Sequence, residues 1–258
     1  MSVDQLTPDE MCAAALQALV KLFQAEVVGV NASLTALGAA TAPSVPPPSW
    51  YIDLLDHLAA ELMLAVGRLL PLEASNHNLP IAAFCARSLV ELNVWAAFCA
   101  RSEADARKFR EDRYRDGLGL HDACIQLAGL AKSTLPKEFS TVLTAFVSTL
   151  KSMAAMDGLP VTGQAYMKVA LAAEVLGLAD AFSTINRILS KFAHPTAMLV
   201  QAFIVDQLML DRLFVLFKAW GLFCALIGLR SLALPVKRAG IAVPERDPQP
   251  PMGKPTVA

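Results

Sequence analysis

Apolar residues recur along this chain at spacings of three and four, with hardly a stretch of strict alternation. That is the period of a helix and not of a strand. Interruptions divide the pattern into elements. Thr7-Pro8-Asp9-Glu10 has the form of a helix start, with a threonine cap, a proline at the first position and a glutamate closing a capping box. The helix it opens runs to about residue 37, before the loop "TAPSVPPPS". Ser49 opens a second, through residue 70; "PLEASNHNLP" is a loop, and Pro80 starts a third that reaches about residue 100. Ser102, with Asp105 three positions on, caps a fourth. Pro136 lies in the first turn of a fifth, which ends near "MDGLPVTG". Residues 164–178 and 179–194 predict two more helices, and Pro195 opens a last helical region to about residue 234. The Pro-rich, polar remainder, 235–258, predicts a disordered tail. The pattern as a whole predicts one all-α domain over residues 1–234, a bundle of about eight helices.

Composition sharpens this in one respect. Apolar residues make up 55% of the chain and charged residues 17%, an excess over ordinary globular usage that calls for thick buried layers, an oligomer interface or a membrane segment. The run 213–229 contains Lys218 as its single charge, and its seventeen residues are the short limit for a membrane span. Gln207, Asp211 and Lys218 share one face, so a buried or dimer-forming helix is expected, with membrane association through 213–234 as the alternative. A net charge of −1 gives no global basic field, so a nucleic-acid or phosphate site has to be a local patch. The five cysteines form no CxxC pair, and the N-terminus lacks the basic and apolar regions of a signal peptide. Both point to the cytoplasm.

The local patch is "INRILSKFAHP", residues 185–195. At 100° per residue, Arg187 and His194 share a face with Ser183, Thr184, Ser190 and Lys191, while Ile185, Ile188, Leu189 and Phe192 take the opposite side. A solvated face explains such a stripe, yet its lower part carries three potential cations and no carboxylate. Arginine and lysine suit a phosphate, one through forked hydrogen bonds and the other as a point charge. His194 precedes Pro195, which puts the imidazole at a helix C-terminus, where the dipole favours a cation and a general acid is useful.

Arg187, six intervening residues and His194, late in an all-helical domain, resemble the R-x(4–6)-H motif of the HEPN superfamily. The segments "ARSLVELNVWAAFCARSEADARKFRED" and "LSKFAHP" resemble uncharacterised bacterial helical proteins related to it, and the likeness covers roughly residues 80–200. It implies a homodimer acting as a metal-independent RNA endonuclease, or an inactive relative of one. Arg187 would then stabilise the transition state, His194 would move a proton, Lys191 and Ser190 would hold phosphate, and Asn186 would support them. No cofactor and no metal are implied.

Arg87 and Glu91, the charges of the helix 80–100, are spaced i, i+4. A structural ion pair is expected, or a contribution to the Arg187 site. A different chemistry is raised by His121-Asp122, which with His57 or His77 and Asp180 imitates the H…HD…D ligand set of metal phosphohydrolases. The segment "RSEADARKFREDRYRD", six basic and five acidic residues, reads as a solvated helix laced with salt bridges. No P-loop, GxSxG, GxGxxG or HExxH occurs. Two classes of function follow: RNA or nucleotide phosphate binding, extending to endonuclease action, and a non-catalytic helical interaction protein.

Overall fold

The computed structural model describes residues 7–39, 48–130, 136–159, 167–194 and 206–239. Of these, 88% are helical and none is in a strand. The helices are α1 (Pro8–Ala39), α2 (Ser49–Leu69), α3 (Leu79–Arg101), α4 (Glu103–Leu130), α5 (Lys137–Met156), α6 (Val169–Val175), α7 (Ala179–Ala193), α8 (Gln207–Leu232) and the short α9 (Leu234–Arg238).

The starts follow local chemistry. Glu10 accepts from the Thr7 backbone amide at 2.7 Å while the Thr7 hydroxyl oxygen accepts from the Glu10 amide at 3.3 Å, a complete capping box. Ser102 and Asp105 repeat the device at α4: the Asp105 amide donates to Ser102 Oγ at 3.1 Å, and that hydroxyl donates to the Asp105 carboxylate at 2.7 Å. Two ends are closed by glycine. Gly158 and Gly177 have φ of 62° and 71°, the left-handed geometry that a Cβ disfavours. Around each, paired amides return to the last turn, Leu159 to Ala154 and Leu178 to Ala173.

α3 is the central element and packs against α2, α4, α6, α7 and α8. Its closest partner is α8. A Cβ at Gly221 would stand 3.6 Å from Ala86 Cα, and one at Gly228 would stand 3.3 Å from Asn93 Cα. Both pairs advance seven residues together, so α3 and α8 run parallel with one face of each in contact. α1 lies parallel to α8 on its other flank, tied by Asp9–Arg212 and Glu26–Arg230. α7 runs antiparallel to α3, and Arg101 reaches the Val175 carbonyl at the opposite end from His194. Phe98, Phe217, Leu62, Leu89 and Leu222 are fully buried at the centre.

The apolar run 213–229 packs in this core through Phe214, Phe217, Leu222 and Ala225. By length and composition, however, four helical stretches among the described residues are apolar enough to cross a membrane: Asp9–Ala39, Leu79–Arg101, Glu138–Met156 and Gln207–Arg238. The sequence pattern had pointed to the last alone.

Three expectations move. The last long helix begins at Gln207, where the Asp206 side chain accepts from the Leu208 amide; Pro195 lies outside the described residues. The sixth helix begins at Val169, and Gln164 likewise lies outside them. The tail expected from residue 235 starts later: Pro235 sits in the first turn of α9, Val236 is fully buried, and Arg238 donates to the carbonyls of Ala100 and Arg101 at 3.2 and 2.7 Å. Those carbonyls end α3 and need donors. Residues 240–258 are outside the described part.

Candidate functional site

α7 is strongly two-sided. Phe182 and Leu189 are buried, Ile185 and Phe192 pack on the core, and the Phe192 and Phe217 rings meet edge to face at 5.4 Å. Ser183, Thr184, Arg187 and Lys191 are exposed on the other side. Ile188, expected on the apolar face, is exposed beside Arg187.

The helix stops at Ala193, and His194 is extended, with φ −113° and ψ 153°, as the residue before a proline prefers. Leaving the helical path turns the imidazole toward α3. There Arg87 Nη1 lies 2.8 Å from His194 Nε2, and Arg87 Nε donates to Glu91 Oε1 at 3.0 Å. The structural ion pair expected of Arg87 and Glu91 forms, and Arg87 also reaches His194.

Arg187 stands elsewhere. It is exposed and, among the described residues, makes no hydrogen bond or ion pair. Seven residues of helix are about 10 Å of rise, and among the described residues no hydrogen bond or ion pair joins Arg187 to His194. The structure brings Arg87, Glu91 and His194 together, with Lys191 exposed on the adjoining turn. Ser190 is half-buried and donates its hydroxyl proton to the Asn186 carbonyl at 2.6 Å, leaving its oxygen to accept. Asn186 Oδ1 is buried without a partner.

This geometry fixes where the histidine proton sits. A guanidinium has only donors, so in this contact Nε2 accepts and the ring proton is on Nδ1. While that hydrogen bond is made, the Nε2 lone pair is occupied by Arg87. Exposed cationic side chains adjoin the contact: Lys191 on the last turn of α7 and, farther along, Arg187. Glu91 is the carboxylate paired with Arg87.

The metal-ligand alternative does not assemble. His121 Nδ1 is 3.0 Å from its neighbour Asp122, His57 contacts the Asp53 carbonyl in its own helix, His77 lies in the α2–α3 loop and Asp180 in the first turn of α7. Among the described residues no three His, Cys, Asp or Glu side chains are grouped for a metal.

A second charged cluster escaped the sequence reading. The segment 101–116, expected as a solvated face, is buried along one side, with Tyr114 fully inside and Asp105 and Asp112 nearly so. Arg110 grips Asp157 with Nε and Nη2 at 2.9 and 2.7 Å, stacks its guanidinium 5.0 Å from the Trp50 ring, and shares Asp157 with the Tyr114 hydroxyl. Burial pushes the Asp157 carboxyl up, but these two donors hold it below the usual carboxylate range. Arg107 completes the cluster on the carbonyls of Asp157 and Gly158. The Arg110 and Asp157 charges answer each other, which marks a clamp between α4 and the end of α5. Tyr114 and the Asp157-Gly158 turn were the available signals.

Comparison with family models finds no match, and comparison with curated proteins and with solved structures finds none either.

Proposed function

We infer that the face formed by α3 and the end of α7 binds RNA or a nucleotide through its phosphates, in a homodimeric cytoplasmic protein. One observation carries the reading: Arg87 is brought from another helix, 107 positions away, onto His194. Glu91 orients the guanidinium from behind, and its unused N–H groups suit a phosphate oxygen. Lys191 and Arg187 extend the same charge along α7, at a spacing that fits successive points on a strand better than one clamped group.

Cleavage adds one movement to binding. When a phosphate draws Arg87 away, His194 Nε2 is freed and takes the proton of a 2′-hydroxyl. The 2′-oxygen bonds to phosphorus, the phosphorus–5′-oxygen bond breaks, and the imidazolium returns its proton to the departing 5′-oxygen. The products are a 2′,3′-cyclic phosphate and a 5′-hydroxyl. Arg87 stabilises the charge on the non-bridging oxygens, the role first considered for Arg187.

A second reading, a non-catalytic interaction protein, is favoured by the outer part of the α4–α5 hairpin. There Leu127 and Leu130 are 68% and 82% exposed, and Phe139 and Val142 are exposed across from them.

The test is labelled RNA incubated with the purified protein, with and without EDTA, at two salt concentrations. Binding that weakens with salt and is lost in Arg87→Ala supports the phosphate reading. EDTA-resistant cleavage to a cyclic phosphate, lost by about 10²-fold in His194→Ala, supports the enzyme. RNA affinity equal in wild type and Arg87→Ala overturns both.

A further inference from the structure

Phe84 lies one helical turn before Arg87 on α3, and its ring is 57% exposed. Ile81, one turn earlier again, is 49% exposed. Residues three and four apart on a helix are neighbours on its surface, so an open aromatic ring adjoins the Arg87–His194 contact. Ser88 does not compete for that space, because its hydroxyl turns back to the Phe84 carbonyl at 3.0 Å. The ring faces outward, whereas Val94 and Phe98, farther along the helix, are buried.

We propose that Phe84 is a stacking platform for a nucleobase, so that the ligand is an unpaired stretch of RNA and not a duplex or an isolated phosphate. This rests on the phosphate reading of Arg87 and His194. An aromatic face beside a fork of cationic donors is what a single-stranded nucleotide requires, one group for its base and the other for its phosphate. A duplex keeps its bases stacked on each other and offers Phe84 nothing to receive. A protein partner fits less well: a stable interface covers about 800 Å² on each side, and one ring with one isoleucine at the edge of a charged patch falls far short. The ring stacks on any base, so the site discriminates paired from unpaired strands and not one sequence from another.

The experiment compares three labelled probes by fluorescence anisotropy: a short uridine-rich RNA strand, the same strand in a duplex, and an abasic ribose-phosphate strand of equal length and charge. In wild type the unpaired strand binds most tightly. Phe84→Ala weakens it about tenfold and leaves the abasic strand unchanged, Phe84→Leu behaves as alanine, and Phe84→Trp restores binding. Circular dichroism confirms that the variants keep their helices. If Phe84→Ala leaves the unpaired strand unchanged, or weakens the abasic strand equally, the proposal fails while the phosphate reading stands. If neither strand binds wild type, both fail. If Phe84→Ala instead dissociates the dimer in sedimentation, the ring belongs to a subunit contact and the proposal fails.

Discussion

Arg87 Nη1 and His194 Nε2 stand 2.8 Å apart, joining the middle of α3 to the first residue past α7. Because arginine can only donate, this contact selects the Nδ1–H tautomer of the imidazole. Two-bond ¹H–¹⁵N spectra of selectively labelled protein at neutral or mildly alkaline pH should show it. Arg87→Ala should shift His194 toward the Nε2–H form that free imidazoles favour. A ring already in the Nε2–H form in wild type would mean that the contact does not exist in solution.

Asp105 makes a pH prediction. Burial pushes its carboxyl up, but donors from Arg101, Ser102 and Lys108 outweigh this and hold it down to about 2. In the unfolded chain an aspartate titrates near ~3.9. The stabilisation is therefore complete above about pH 4 and is lost as pH falls toward 2. Asp105→Asn should cost about 2 kcal/mol at pH 7 and flatten the acid limb of the stability curve between those values, measured by urea unfolding at several pH values.

Two glycines in different surroundings should respond with opposite signs to alanine. At Gly67, on the exposed side of α2, a Cβ meets nothing within 4 Å, so Gly67→Ala should stabilise by up to about 1 kcal/mol through helix propensity. At Gly221 it would stand 2.6 and 2.9 Å from methyls of Leu69 and Leu89, and both leucines are fully buried. Gly221→Ala should destabilise by roughly 1–3 kcal/mol. Thermal unfolding of the two variants side by side decides the matter.

The Arg110–Asp157 clamp should be costly to break, since loss of one partner leaves a half-buried charge unanswered. Asp157→Ala should lower stability by about 3 kcal/mol and expose α5 to proteases before the rest of the chain. Cleavage that begins equally in α3 and α5 would show that the clamp does not hold that helix.

How far the sequence could be read depended on how local each cause was. The boxes at Thr7 and Ser102 lie within four residues of chain, and both formed where the pattern placed them. The packing of Val236 and Arg238 depends on carbonyls at the far end of α3, which no nearby residue announces. The face shared by Arg187 and His194 assumed helix through residue 194. One extended residue redirected the imidazole to Arg87, for which the spacing had given an ion pair with Glu91 or a contribution to the Arg187 site. Segment 101–116 looked solvated because its charges balance, but its arginines are spent on Asp105 and Asp112, inside the fold, and on half-buried Asp157.

The clamp at Asp157 also bears on how the molecule comes apart. Tyr114, Leu150, Ala154 and Leu159 form an apolar cluster separate from the large one around α3, and among the described helices α5 packs on α4 alone. A chain with two such centres does not have to melt in one step. The hairpin can open while α1, α2, α3, α7 and α8 remain closed, so amide exchange there reports a smaller free energy than the global one. The Arg87–His194 face belongs to the larger cooperative unit, and it keeps its shape through openings that undo a fifth helix whose one partner among the described helices is α4.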